Sequence, residues 1–156
     1  MTSPEPDFEA EAAWLSEVLT QEIPLGSAMA LSIARLDAGG ITLAVPLEPN
    51  VNDKGSAFGG AMASLMILAG WSLPRLLLRR HGLAADLVIG RCELRFVSPV
   101  YGPFQAECGW PEPGPIDEFV ANLQSGRRAR LALTPEVLYQ GDVAATLEAR
   151  YAALPR

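Results

Sequence analysis

Between Gly59 and Leu78 the chain reads GGAMASLMILAGWSLPRLLL, a run with no acid and no histidine. Drawn as a helix, its apolar side chains lie nearly all round. A helix apolar on every side has to be enclosed, because one polar face is what a surface helix needs and this one lacks it. Ser64, Gly70, Ser72, Pro74 and Arg75 interrupt the run, so it reads as a core helix and not as a membrane span. Pro74 deletes the hydrogen bond to the carbonyl of Gly70 and predicts a kink near Trp71. Arg79, Arg80 and His81 suit the negative end of the helix dipole, and Gly82 suits the position just past the end.

The flanking sequence supplies strands to do the enclosing. From Asp7 to Glu22, Phe8, Ala12, Leu15 and Leu19 recur at helical spacing behind an Asp7 N-cap, and Pro24 and Gly26 close that helix. Ala28–Leu36 alternates as a strand, Asp37–Gly40 is a hairpin turn, and Ile41, Leu43 and Val45 face inward on the return. Leu87–Val97 alternates again, with Val88, Cys92, Leu94 and Phe96 on one face and Arg91, Glu93 and Arg95 on the other. A short strand spans Phe104–Trp110. The Pro111–Pro115 segment reads as a rigid connection, and Ile116, Phe119, Val120 and Leu123 mark an amphipathic helix. Arg128–Tyr139 and Val143–Ala153 read as two long strands about a Gln140–Asp142 turn, with Pro135 at a bulge or edge.

This is an α+β pattern: an antiparallel sheet wrapped round one long helix, in a single domain over residues 1–156 with residues 1–6 frayed. A single curved sheet leaves its edges open, and pairing two subunits edge to edge closes one of them. The 18 acidic side chains outnumber the 12 basic ones, giving a net charge of −6; this argues against nucleic acid as a partner. The N-terminus has no basic segment leading into an apolar core, so a signal peptide is not indicated. The two cysteines, Cys92 and Cys108, read as reduced, buried thiols of a cytoplasmic protein with no membrane association. No metal or nucleotide motif is present.

The chemistry concentrates where the loop NVNDKGSAF runs into the paired glycines. A helix start offers unpaired N–H groups and a positive dipole end, and Gly59 and Gly60 leave them unshielded by any Cβ. Such a place suits a thioester carbonyl that gains negative charge. Asn52 adds an amide donor from the loop. Ser64, one turn on, and Asp53, Glu93 and Glu107 are the candidate bases. Asp53, Lys54, Phe58, Met62, Arg91 and Arg95 are candidates for holding substrate, with Leu65 as a further wall of the pocket.

The stretches PNVNDKGSAFGGAMASLMILAGW and LVIGRCELRFVSPV resemble the thioesterase family typified by the C-terminal domain of YiiD, over residues 10–153. The resemblance implies the hot-dog fold, dimerisation along a sheet edge (or a dimer of dimers), and action on acyl-CoA or acyl carrier protein thioesters. Some members resemble malonyl-acyl carrier protein decarboxylases. No cofactor is implied beyond the phosphopantetheine that the substrate carries. Many hot-dog thioesterases have a histidine before the paired glycines and an acid further along the helix; this chain has Phe58 and apolar residues such as Met66 and Ile67. Hydrolysis needs a base to activate water, whereas loss of carbon dioxide from a malonyl thioester needs mainly a stabilised enolate. The missing acid therefore favours decarboxylation, with hydrolysis and non-catalytic thioester binding as alternatives. Among the basic side chains, Arg75, Arg79 and Arg80 form one cluster and Arg127, Arg128 and Arg130 another, and either would steer an acidic carrier protein.

Overall fold

The computed structural model describes residues 5–156, so the expectation of a frayed start lies largely outside the described residues. Its elements are helices α1 (Phe8–Glu17), α2 (Pro24–Ala28), α3 (Gly59–Arg80) and α4 (Pro113–Gln124), and strands β1 (Ser32–Asp37), β2 (Gly40–Val45), β3 (Ala85–Phe96), β4 (Phe104–Gly109), β5 (Ala129–Leu133), β6 (Glu136–Tyr139) and β7 (Asp142–Pro155). All strand pairings are antiparallel. The sheet runs β1-β2-β4-β6-β7-β3, with β5 beside β7. The sheet curls round α3, and that is the hot-dog fold.

The core helix is where its sequence puts it. Leu65, Met66, Ala69, Leu73 and Leu76 are fully buried. By length and hydropathy α3 could cross a membrane; here β2, β3, β4, β6 and β7 all pack against it. The helix continues through Pro74. It ends in a Schellman motif: Leu83 N–H donates to the Leu78 carbonyl (2.9 Å), Gly82 N–H to the Arg79 carbonyl (3.3 Å), and Gly82 takes a φ of +60°. Halfway along, Gly70 lets a side chain meet the backbone. The buried Tyr151 hydroxyl donates to the Ile67 carbonyl at 2.6 Å, and a Cβ at Gly70 would stand 3.0 Å from the Tyr151 ring.

Arg80 is committed to structure. It clasps the buried Glu11 through two bonds of 2.7 and 2.8 Å, under the face of Trp110. Arg75 and Arg79 lie over Trp14. Of the first basic cluster, only Arg80 has its charge paired among the described residues.

Several local expectations are corrected. Asp7 does cap α1, accepting from Ala10 N–H at 3.1 Å, but Val18–Glu22 forms a π-helical turn. Pro24 then opens α2 instead of ending a helix, since N1 is where proline's missing N–H costs nothing. Residues 28–31 are therefore helix end and turn, and β1 starts only at Ser32. Pro113 opens α4 in the same way. The expected strand 128–139 is cut at Thr134–Pro135 into β5 and β6, and the Pro135 carbonyl still accepts from Leu147 N–H.

The largest correction concerns β3. Its register shifts between Ile89 and Arg91, where Gly90 forms a bulge. Residues directly opposite in an antiparallel pair share a face. Leu87, Ile89, Cys92, Leu94 and Phe96 lie opposite the buried Ala153, Tyr151, Ala149, Leu147 and Ala145, so they point toward α3. Val88 lies opposite Ala152 and joins Arg91, Glu93 and Arg95 on the outer face. Cys92 is nonetheless exposed, because β3 is the last strand of the sheet. Cys108 is buried as expected, and desolvation pushes its thiol up to about 12.

Candidate functional site

The loop before α3 is built by Asn52. Its side-chain oxygen accepts from Lys54 N–H (2.8 Å) and Ser56 N–H (3.1 Å), and its amide donates to the Ser56 hydroxyl (2.8 Å). This Asx-type turn closes the loop on itself, with Val51 bridging Ala57. The loop delivers Phe58 to the N-cap with φ −66° and ψ 132°. The Phe58 carbonyl accepts from Ala61 N–H (2.9 Å) and Met62 N–H (3.1 Å). Among the described residues, the N–H groups of Gly59 and Gly60 have no acceptor. Both glycines are half-buried, and the Phe58 ring packs over Gly60 in the space a Cβ would take.

A cleft of ≈300 Å³ opens at this helix head, and Gly60, Ala61 and Ser64 form its α3 side. Leu25, Met29, Val51 and Phe58 supply apolar walls, and Asn50 closes the base. Asn50 is 3% exposed. Its amide donates to the carbonyls of Met29 (3.0 Å) and Pro46 (2.8 Å), which fixes the orientation of the group and leaves its side-chain oxygen as the free polar atom. Ser64 is half-buried, and its hydroxyl has no partner among the described residues. Among the described residues, no acid, base or cysteine lines the cleft. Phe96 stands beside Gly59, its ring 3.6 Å from where a Gly59 Cβ would be.

Of the residues nominated from sequence, Gly60, Ser64 and Phe58 line this cleft, and Gly59 sits next to it at the start of α3, beside Phe96. Asn52 is half-buried and engaged in holding the loop. Asp53 and Lys54 form an exposed ion pair of 3.0 Å at the loop tip, away from the cleft. Met62 and Leu65 point into the core, because the helical period that puts Gly60 and Ser64 on one face puts them on another. Arg91, Arg95 and Glu93 are turned outward by the β3 bulge, and Glu107 faces outward toward Arg35 at 3.9 Å. None of the candidate carboxylates reaches the helix head. Sequence reasoning passed over Asn50, Leu25 and Met29. Asn50 had a signal of its own, a second asparagine two residues before Asn52; the other two lie on and just after the short helix α2, which was read as strand and helix end.

A structure from Chlorobaculum tepidum, of unknown function, superposes with a TM-score of 0.90 at 24% identity, covering 96% of this chain and 97% of that one. A thioesterase-like structure from Shewanella oneidensis gives 0.84 at 23% identity, over 94% and 99% of the two chains. A "Probable Thioesterase" from Pseudomonas aeruginosa gives 0.77 at 20% identity, over 98% of each. At these identities the likeness establishes the fold. The family described as "Putative thioesterase (yiiD_Cterm)" matches residues 12–155, and the chain belongs to that family.

Proposed function

We propose that this protein decarboxylates malonyl thioesters carried on phosphopantetheine, with malonyl-acyl carrier protein as the physiological form. One observation carries the reading: the head of α3 has two amides without an acceptor, and among the described residues no titratable side chain lines the cleft beside them.

The thioester carbonyl oxygen accepts from the N–H groups of Gly59 and Gly60. The bond between the α-carbon and the carboxylate breaks, its electron pair moves into the enolate, and carbon dioxide leaves. The enolate carbon then takes a proton from water, giving the acetyl thioester. The charge that appears on the oxygen meets the positive end of α3, and one preorganised donor of this kind lowers a barrier by about 3–4 kcal/mol. Leu25, Met29, Val51 and Phe58 surround the departing carboxylate with apolar surface. That favours a neutral leaving group over the hydrated anion. The Ser64 hydroxyl donates to the carboxylate and holds it out of the thioester plane.

Hydrolysis asks for an activated water, and the carboxylates that could activate one lie elsewhere: Asp53 at the loop tip, Glu93 and Glu107 on the outer face. The same cleft serves the enolate route without them.

The free edge of β3 supports a second part of the reading. Leu94, Phe96 and Val97 are exposed along it, and an unpaired edge of this length invites another strand. A second copy pairing there covers these side chains and walls the cleft beside Phe96, giving a dimer with its sites at the seam. The test is a panel of malonyl, acetyl and long-chain thioesters, each on carrier protein and on CoA, with products identified by mass. Acetyl thioester and carbon dioxide from the malonyl forms support the reading. Free malonate or free fatty acid establishes hydrolysis instead, and an unchanged panel leaves a binding protein.

A further inference from the structure

The outer face of the sheet carries a groove of ≈400 Å³ rimmed by Arg91, Arg128, Arg130 and Arg150. Among the described residues, no carboxylate lines it. Among the described residues, none of these four guanidinium groups makes an ion pair, whereas Arg35, Arg80 and Arg156 are paired with Asp37, Glu11 and Asp86. The chain has a net charge of −6, so four unpaired arginines in one groove run against its overall balance. Two of them stand directly opposite each other: Arg91 on β3 faces Arg150 on β7. A like-charge cross-strand pair is destabilising. The neighbouring pair along the strands, Glu93 opposite Glu148, would relieve it, yet no arginine–carboxylate contact forms within the 4 Å of an ion pair.

The floor of the groove is of another character. Gly90, at the bulge, and Ala152 keep it low, and Val88 and Leu154 give it apolar surface. Val88 is 44% exposed. Ala152 lies between Val88 on β3 and Arg130 on β5, so the arginines flank the apolar strip within one or two strand spacings of about 4.8 Å. Guanidinium groups bind phosphate oxygens through paired N–H donors and also stack on planar rings.

We propose that this groove binds a nucleotide carrying at least two phosphates, with the phosphates among the arginines and the base on Val88 and Leu154. A free nucleoside diphosphate and the nucleotide end of coenzyme A share that chemistry. The groove lies on the opposite face of the sheet from α3 and the cleft, so the inference stands apart from the reaction proposed above.

The test is calorimetric titration of the full chain with ADP, coenzyme A, adenosine and inorganic pyrophosphate. ADP or coenzyme A is expected to bind, more weakly as salt is raised, with adenosine at least about tenfold weaker than ADP for lack of phosphates and pyrophosphate at least about tenfold weaker for lack of the base. Whichever of ADP and coenzyme A binds more tightly identifies the source. Arg130→Gln and Arg150→Gln are expected each to weaken binding about tenfold, with Arg156→Gln, outside the groove, unchanged. All four arginines are exposed, so circular dichroism of the variants should match the parent. The proposal is overturned if neither nucleotide binds at millimolar concentration, if pyrophosphate binds as tightly as ADP, if the arginine variants bind as the parent does, or if the groove takes an acidic carrier protein and no nucleotide. Because the readout is binding, a failure here leaves the thioester chemistry untouched, and an inactive cleft leaves this site untouched.

Discussion

Proline at position 59 would delete one of the two proposed donors with little other disturbance. Gly59 is the first residue of α3, and its N–H has no acceptor among the described residues. Proline is well tolerated at that position, because its fixed φ suits the helix and the missing N–H bonds nothing within it. The residue before a proline must be extended, and Phe58 already is, with φ −66° and ψ 132°. The added ring carbons start from a Cβ 3.6 Å from Phe96, an ordinary contact. Gly59→Pro should therefore fold, and should gain about 0.4–1 kcal/mol from a stiffer unfolded chain, or roughly 1–4 °C in Tm. Activity should move the other way. Losing one oxyanion donor costs about 10²–10³ in kcat, with KM little changed, because the enolate leans on that amide more than the ground-state carbonyl does. Gly59→Ala is the matched control: it adds the Cβ and keeps the N–H, and should retain activity within a few-fold. The assay is kcat and KM on malonyl thioester, with Tm for each variant. A fully active Gly59→Pro would refute the donor role of this amide. Equal losses in Gly59→Ala and Gly59→Pro would trace the effect to steric bulk.

Arg80→Met leaves the buried Glu11 without its partner and should cost about 3–5 kcal/mol in urea unfolding, while Glu11→Leu with Arg80→Met should recover most of it; simple additivity of the two single changes would contradict this account of the pair. Gly70→Ala should destabilise even though alanine is the better helix former. Crowding against Tyr151 costs about 1–3 kcal/mol, against about 1 kcal/mol of helix gain, and a more stable variant would show that the close approach is relaxed. Cys108 loses its proton more readily unfolded (an ordinary thiol, 9.0) than folded (about 12). Its contribution is complete below pH ~9 and fades as pH climbs toward ~12, with a slope of up to about 1.4 kcal/mol per pH unit; Cys108→Ala should flatten the alkaline limb of the stability profile, and an unchanged limb would argue against it.

The core helix and the glycines at its head were legible because each carries a one-residue signature: an apolar side chain at nearly every position, then two residues without a Cβ. The Schellman end was legible through Gly82 for the same reason. The walls of the cleft were not. Leu25 and Met29 belong to α2 and the turn after it, and five residues opened by a proline look the same in sequence as a helix ending. The faces of β3 were misread at Val88 because a bulge at Gly90 adds one residue and exchanges the two faces from there on. Before the bulge the inward residues are Leu87 and Ile89; after it they are Cys92, Leu94 and Phe96. Alternation read from one end alone cannot detect that shift. Arg91 and Arg95 lie on the face of β3 turned away from the cleft for a related reason: an outward face and an inward face both alternate, and only the pairing with β7 separates them.

The most direct test of the account is a crystal structure with an unreactive malonyl thioester analogue, its sulfur–carbon link replaced so that nothing breaks. The account predicts the analogue's carbonyl oxygen within about 3 Å of the Gly59 and Gly60 nitrogens, with its carboxylate among Leu25, Met29 and Phe58 beside Ser64. An analogue seated with its carbonyl away from both amides, or held by a carboxylate or histidine brought in by a second copy of the chain, would contradict it.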